Sequence, residues 1–149
     1  MWPIAAAIAL VVGLVWLDRR VSTKPSPASP PPGASITTPI TDAPTVRYYQ
    51  GLLADMLSKL TQEDIANFPT PLAINMWTAG EVDGNPQNPR WVAALSAIQI
   101  GANAEANGPD LANPGKKRGW PTDFPADFPA QLRTDGVLDY ATAMLLNNG

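Results

Sequence analysis

What most constrains this chain is where its prolines fall. Seven of the seventeen crowd into residues 21–44 among Ser, Thr, Ala and Gly, including the run Ser29-Pro30-Pro31-Pro32-Gly33. Proline fixes φ and removes a backbone donor, so such a stretch favours extended polyproline over helix or sheet. It divides the chain into an apolar N-terminal segment (1–20), a spacer (21–44) and a domain (45–149). At about 3.1 Å per residue the spacer reaches at most about 75 Å. The same composition also suits a ligand for an SH3-like partner, but a spacer is its commoner use.

Residues 2–17 are apolar apart from Pro3 and Gly13, and Asp18-Arg19-Arg20 follow at once. As a helix this run is about 24 Å long, against a hydrocarbon layer of roughly 30 Å. Trp2 and Trp16 lie near its ends, where amphipathic rings prefer the interface, and Pro3 sits in a first turn that tolerates it. The expectation is a transmembrane helix contacting the lipid bilayer. No Lys or Arg precedes the run and no clear small-residue cleavage site follows it, so a retained anchor fits better than a cleaved signal. Arg19, Arg20 and Lys24 all follow it, which by the positive-inside rule keeps the remainder in the cytoplasm.

Ten basic against thirteen acidic residues leave a formal charge of -3, so no basic field draws in phosphate backbones and nucleic-acid binding is not expected. The chain has no Cys and no His. Disulfides, thiolate nucleophiles, Ser-His triads and the usual zinc ligands are therefore excluded. Chemistry is left to carboxylates, hydroxyls, Lys and Arg.

Residues 45–149 read as all-α, with no convincing strand alternation and no repeat of solenoid length. Tyr49, Leu52, Leu53, Met56, Leu57 and Leu60 recur at helical spacing, which predicts a helix over 45–60. Thr61 with Asp64 resembles a cap for a short helix closed by Phe68-Pro69, and Pro71 suits the first turn of a third through Leu72, Ile74, Met76 and Trp77. Asn88-Pro89 starts, and Asn107-Gly108 stops, a fourth helix over 89–106 with Val92, Leu95, Ile98 and Ala102 inward. A last helix is expected over 132–146.

Between the last two helices, 108–129 is rich in Pro, Gly and Asp and carries Lys116-Lys117-Arg118, expected as a solvated loop. Its doublet Asp123-Phe124-Pro125 and Asp127-Phe128-Pro129 is expected to pin the loop to the core through the two rings. Two carboxylates fall short of the roughly six to eight oxygens that calcium takes, so no metal is expected.

One constellation points to chemistry. Glu81 ends the expected third helix and precedes Val82-Asp83-Gly84-Asn85-Pro86. A carboxyl group sheltered beside Trp77 would be raised toward the range of a general acid. With Asn85-Pro86 and Gln99-Ile100 it spells E-x3-N-P-x12-Q-I, which resembles the lytic transglycosylases of the lysozyme superfamily over residues 71–101.

The resemblance implies a small lysozyme-like helical domain that cleaves peptidoglycan without a cofactor. Glu81 would protonate the oxygen leaving from the bond between N-acetylmuramic acid and N-acetylglucosamine, then take the proton of the 6-hydroxyl to give an anhydro product. Asn85 and Gln99 would position sugar. Murein lies on the non-cytoplasmic side, opposite to the charge-rule orientation. The alternative is a non-catalytic, membrane-tethered envelope or virion component that binds a partner protein. The environment of Glu81, and whether Gln99 faces it, discriminate the two.

Overall fold

A computed structural model describes residues 30–63, 77–122 and 124–147. The described residues are mainly helical: α1 (Ala43–Ser58), a 3-10 turn (Ala79–Glu81), α2 (Pro89–Asn107) and α3 (Tyr140–Asn147). No strand occurs among them, only the isolated bridges Pro39↔Asp139 and Pro109↔Lys117. None of these helices is long and apolar enough to cross a membrane. The expected anchor at 2–17 lies outside the described residues, as do most of the expected helices over 61–68 and 71–77.

α1 starts where its cap is. Asp42 Oδ2 accepts from the N–H of Thr45 at 3.1 Å, and Pro44 sits in the first turn, where its missing donor costs nothing. Val46, Tyr49, Gln50, Leu53, Ala54 and Leu57 form its buried stripe. α2 is capped by Asn88, whose Oδ1 accepts from Arg90 N at 3.0 Å. Small and apolar residues occupy most of its faces, so it is enclosed on several sides: Trp91, Ala94, Leu95, Ala97, Ile98, Ala102 and Ala106 are all buried. Val92, expected inward, is only half-buried.

The last helix is shorter than the expected 132–146. Leu132 and Leu138 are buried in the core, but from chain outside any helix. Gly136 breaks the helical path with φ +77°, and the helix begins only after Asp139, whose Oδ1 accepts from Thr142 N at 2.7 Å. Apolar spacing alone does not distinguish a helix from an extended segment whose side chains happen to reach the same core.

The fold also claims the end of the expected spacer. Ile36 and Ile40 are buried, Ile40 N donates to Leu138 O at 2.7 Å, and Ala141 N donates to Ile36 O at 2.9 Å. These two isoleucines, set among threonines and prolines, supply apolar area that outweighs the polyproline tendency of their neighbours. The packed unit therefore begins about ten residues before Thr45.

Two apolar clusters share α2. One joins α1, Trp77, Trp91, Leu95, Ile98, Leu138 and Leu146. The other joins Ile36, Ala102, Phe124, Leu132, Ala141 and Leu145, with Trp120 and Phe128 against it. Phe124 and Phe128 lie 4.6 Å apart between ring centroids and pin the long loop as expected. Asp123 lies outside the described residues.

Two glycines test this packing in opposite directions. A Cβ on Gly136 would lie 2.2 Å from Val92 O, on a backbone already at positive φ, whereas one on Gly51 in α1 meets nothing within 4 Å. Gly136→Ala should lower unfolding free energy by at least about 2 kcal/mol. Gly51→Ala should raise it by about 0.5–1 kcal/mol. Urea denaturation of the two variants beside the parent chain checks both signs.

Candidate functional site

The polar residues of the interior are organised by two buried glutamines that do the same job. Gln50, fully buried on α1, accepts from Asp83 N at 3.1 Å and Gly84 N at 2.7 Å, and donates to Asp83 Oδ1 and Asn85 O. Gln99, fully buried on α2, accepts from Gly136 N at 2.9 Å and donates to Val137 O at 2.9 Å and Thr142 Oγ1 at 3.1 Å. Each amide thus ties down an Asp-Gly turn whose glycine has positive φ, Gly84 at 76° and Gly136 at 77°.

The correspondence extends along both helices. Gly84 packs on Ala43 O, seven residues before Gln50, and Gly136 packs on Val92 O, seven residues before Gln99. Arg47 donates to Asp83 O, and Ser96, at the equivalent helix position, donates to Thr134 O, one residue earlier in its turn. The buried positions Val46, Tyr49, Gln50, Leu53, Ala54 and Leu57 map one to one on Leu95, Ile98, Gln99, Ala102, Asn103 and Ala106. The domain therefore contains one device twice, a helix whose glutamine fastens the turn leading to the next helix. Its sequence signal was present, an apolar residue four before each Gln and Asp-Gly some 34 and 37 residues after it. It has no fixed period, because the chain between each glutamine and its turn differs in length.

Glu81 sits elsewhere. It closes the 3-10 turn rather than an apolar helix, and its Oε2 reaches back to accept from Thr78 N at 2.9 Å, as in a capping box. Its other oxygen is ion-paired with Arg90 on the first turn of α2. The Arg90 guanidinium, ahead of the Thr78 N–H, holds the Glu81 carboxyl below its ordinary value, although partial desolvation opposes it. This is opposite in sign to the shift a general acid needs. The Glu81 side chain is only 19% exposed, so it is partly sheltered, but the ion pair outweighs that shelter. The Trp77 ring itself donates from Nε1 to Gln50 O at 3.1 Å and stacks at a tilt on Trp91.

Asn85 lies in the same turn region as Glu81, on the exposed side. Its Oδ1 accepts from Gln87 N at 3.0 Å, its N–H donates to Asp83 Oδ1 at 2.9 Å, and its carbonyl takes the Gln50 amide. Asp83 is the hub. Besides Asn85 and Gln50 it accepts from Asn88 Nδ2 at 2.9 Å, and these bonds, the Asn85 N–H first, hold its carboxyl low. Gln99 is not brought to Glu81. It follows Arg90 by nine residues on α2, about 13 Å along the axis, and its amide is enclosed between α2 and α3. Neither donor of Gln99 is left over for a sugar.

Asn103, one turn beyond Gln99, adds a second fastening by exchanging two hydrogen bonds with the backbone of Leu132, at 2.7 and 2.9 Å. Among the described residues no cluster of three or more acidic side chains is arranged to hold a metal ion. No family model matches the sequence, and no curated protein or solved structure matches it either.

The carboxylates give the domain a pH dependence of stability with a defined sign. Glu81, Asp83, Asp110 and Asp135 all have folded-state pKa values below their ordinary ones. Each contributes stability that is present above the unfolded value and lost as pH falls through the folded one. The urea midpoint should be flat near neutral pH and drop below about pH 4.5. In an NMR titration the Glu81 carboxyl should titrate below 4.5, and Arg90→Ala should move it back upward.

Proposed function

We propose that the chain is a non-catalytic, membrane-tethered helical domain that presents a partner-binding surface at a set distance from a bilayer, as an envelope or virion component. The observation that carries this reading is the state of the three residues on which peptidoglycan cleavage would depend. Glu81 is neutralised by Arg90 and held ionised, Asn85 shapes a turn, and Gln99 is consumed inside the core. A general acid must carry its proton at working pH, and an ion-paired carboxylate with a lowered pKa does not.

The tether is supported by the apolar run at 2–17 and the basic residues after it. With Ile36 and Ile40 in the core and a hydrogen-bonded turn over 31–34 leading into them, the spacer shortens to about residues 21–30, a reach of at most about 31 Å. That is short enough to keep the domain near the surface that anchors it.

Incubated with murein sacculi, the full chain should release anhydromuropeptides no faster than buffer, and Glu81→Gln should leave that background unchanged. Release by the parent chain that disappears in Glu81→Gln would restore the lytic transglycosylase reading and overturn this one.

A further inference from the structure

The loop over 108–119 is not slack. Asp110 N donates to Lys116 O and Arg118 N to Gly108 O, both at 2.9 Å, while Lys116 N donates to Asn113 O at 3.1 Å. The Asp110 carboxylate is spent on the turn, accepting from Ala112 N at 3.0 Å and Asn113 Nδ2 at 2.8 Å. At its base Arg118 is ion-paired with the buried Glu105 of α2. On this fixed hairpin Leu111 is 84% exposed, the most open of the large apolar side chains among the described residues. Lys116 and Lys117 are exposed beside it with no carboxylate partner among the described residues.

An ordered apolar tip flanked by exposed ammonium groups suits the boundary between headgroups and acyl chains. Its position fits the same surface. Gly119 N donates to Ala106 O, while the incoming chain packs through Ile36 on the cluster that includes Ala102, one helical turn away. The hairpin and the cluster that takes Ile36 thus both adjoin the C-terminal half of α2. Arg19, Arg20 and Lys24 follow the apolar run in sequence, so the expected tether is itself basic in a chain whose formal charge is -3.

We propose that the 108–119 hairpin is a second membrane contact, in which Leu111 enters the interface and Lys116 and Lys117 bind anionic lipid headgroups. The proposal rests on the tethered reading above and adds how the domain is oriented: held down on the bilayer at this end, with its opposite end left for a partner. A basic side chain near an anionic leaflet contributes about fivefold to occupancy of the bound state.

The absence of native Cys lets a single Ala112→Cys carry an environment-sensitive dye beside an intact Leu111. The labelled full chain would be reconstituted in phosphatidylcholine vesicles with and without phosphatidylglycerol, with flotation recorded alongside. The expected result is flotation on both, with blue-shifted emission and quenching by a lipid-borne quencher only where phosphatidylglycerol is present. Lys116→Glu with Lys117→Glu should abolish that difference, and Leu111→Ser should reduce the quenching. A chain that floats while its dye stays in water on both vesicles overturns the hairpin proposal alone and leaves the lysines to a protein surface. A chain that does not float overturns the tether and this proposal with it.

Discussion

The structure depends on buried side-chain amides that take the place of secondary structure. A helical domain of this size must route its chain between helices, and each turn it makes brings backbone donors and acceptors into the interior that no helix or strand satisfies. Gln50 and Gln99 answer that requirement at equivalent places, and Asn103 does so for Leu132. A glutamine amide offers two donors and an acceptor at the end of a chain long enough to reach from one helix to a turn against the next. Left unmade, each such group would cost on the order of 1–3 kcal/mol. Glycine at the turn is required by both the positive φ and the close approach to the helix backbone.

The same economy gives each residue of the motif a structural role. Asn and Gln are scarce in apolar interiors, so a spacing of Glu, Asn-Pro and Gln invites a catalytic interpretation. Here the asparagine shapes the turn before α2, the glutamine fastens the turn before α3, and the glutamate caps a 3-10 turn while bridging to the start of α2. The first and last of these act where the chain enters α2, and the glutamine ties the middle of that helix to the turn before α3. A glycan-binding crevice is not needed to account for these positions. What remains on the outside among the described residues is a different feature, a hydrogen-bonded basic hairpin at the C-terminal end of α2.

Much of the fold was legible in the sequence where local signals and periodicity agreed. The bounds of α2 followed from Asn88-Pro89 and Asn107-Gly108 to within a residue, and α1 from its leucine stripe to within two. The pinning role of Phe124 and Phe128 was legible from their proline-bounded repetition. The last helix was overextended because Leu132 and Leu138 fit the helical stripe, while Gly136 and the cap at Asp139 were the stronger signals. The spacer was overextended because composition averages over a window, and two isoleucines change the fate of their neighbours. The candidate site was least legible, since what fixes the state of Glu81 is Arg90 nine residues away and what occupies Gln99 is a turn 37 residues on. Neither distance has a fixed period that a sequence could display.

The account is tested most directly by native-state hydrogen exchange at the backbone N–H groups of Gly84 and Gly136. Both lie in loops, where amides ordinarily exchange by local fluctuation, yet both donate to the oxygen of a buried glutamine. If the amide fastenings hold the domain together, these two protons should exchange only through global unfolding, with the same free energy as the slowest amides of α2. Exchange of either at the rate of an ordinary exposed loop, while α2 stays protected, would contradict it.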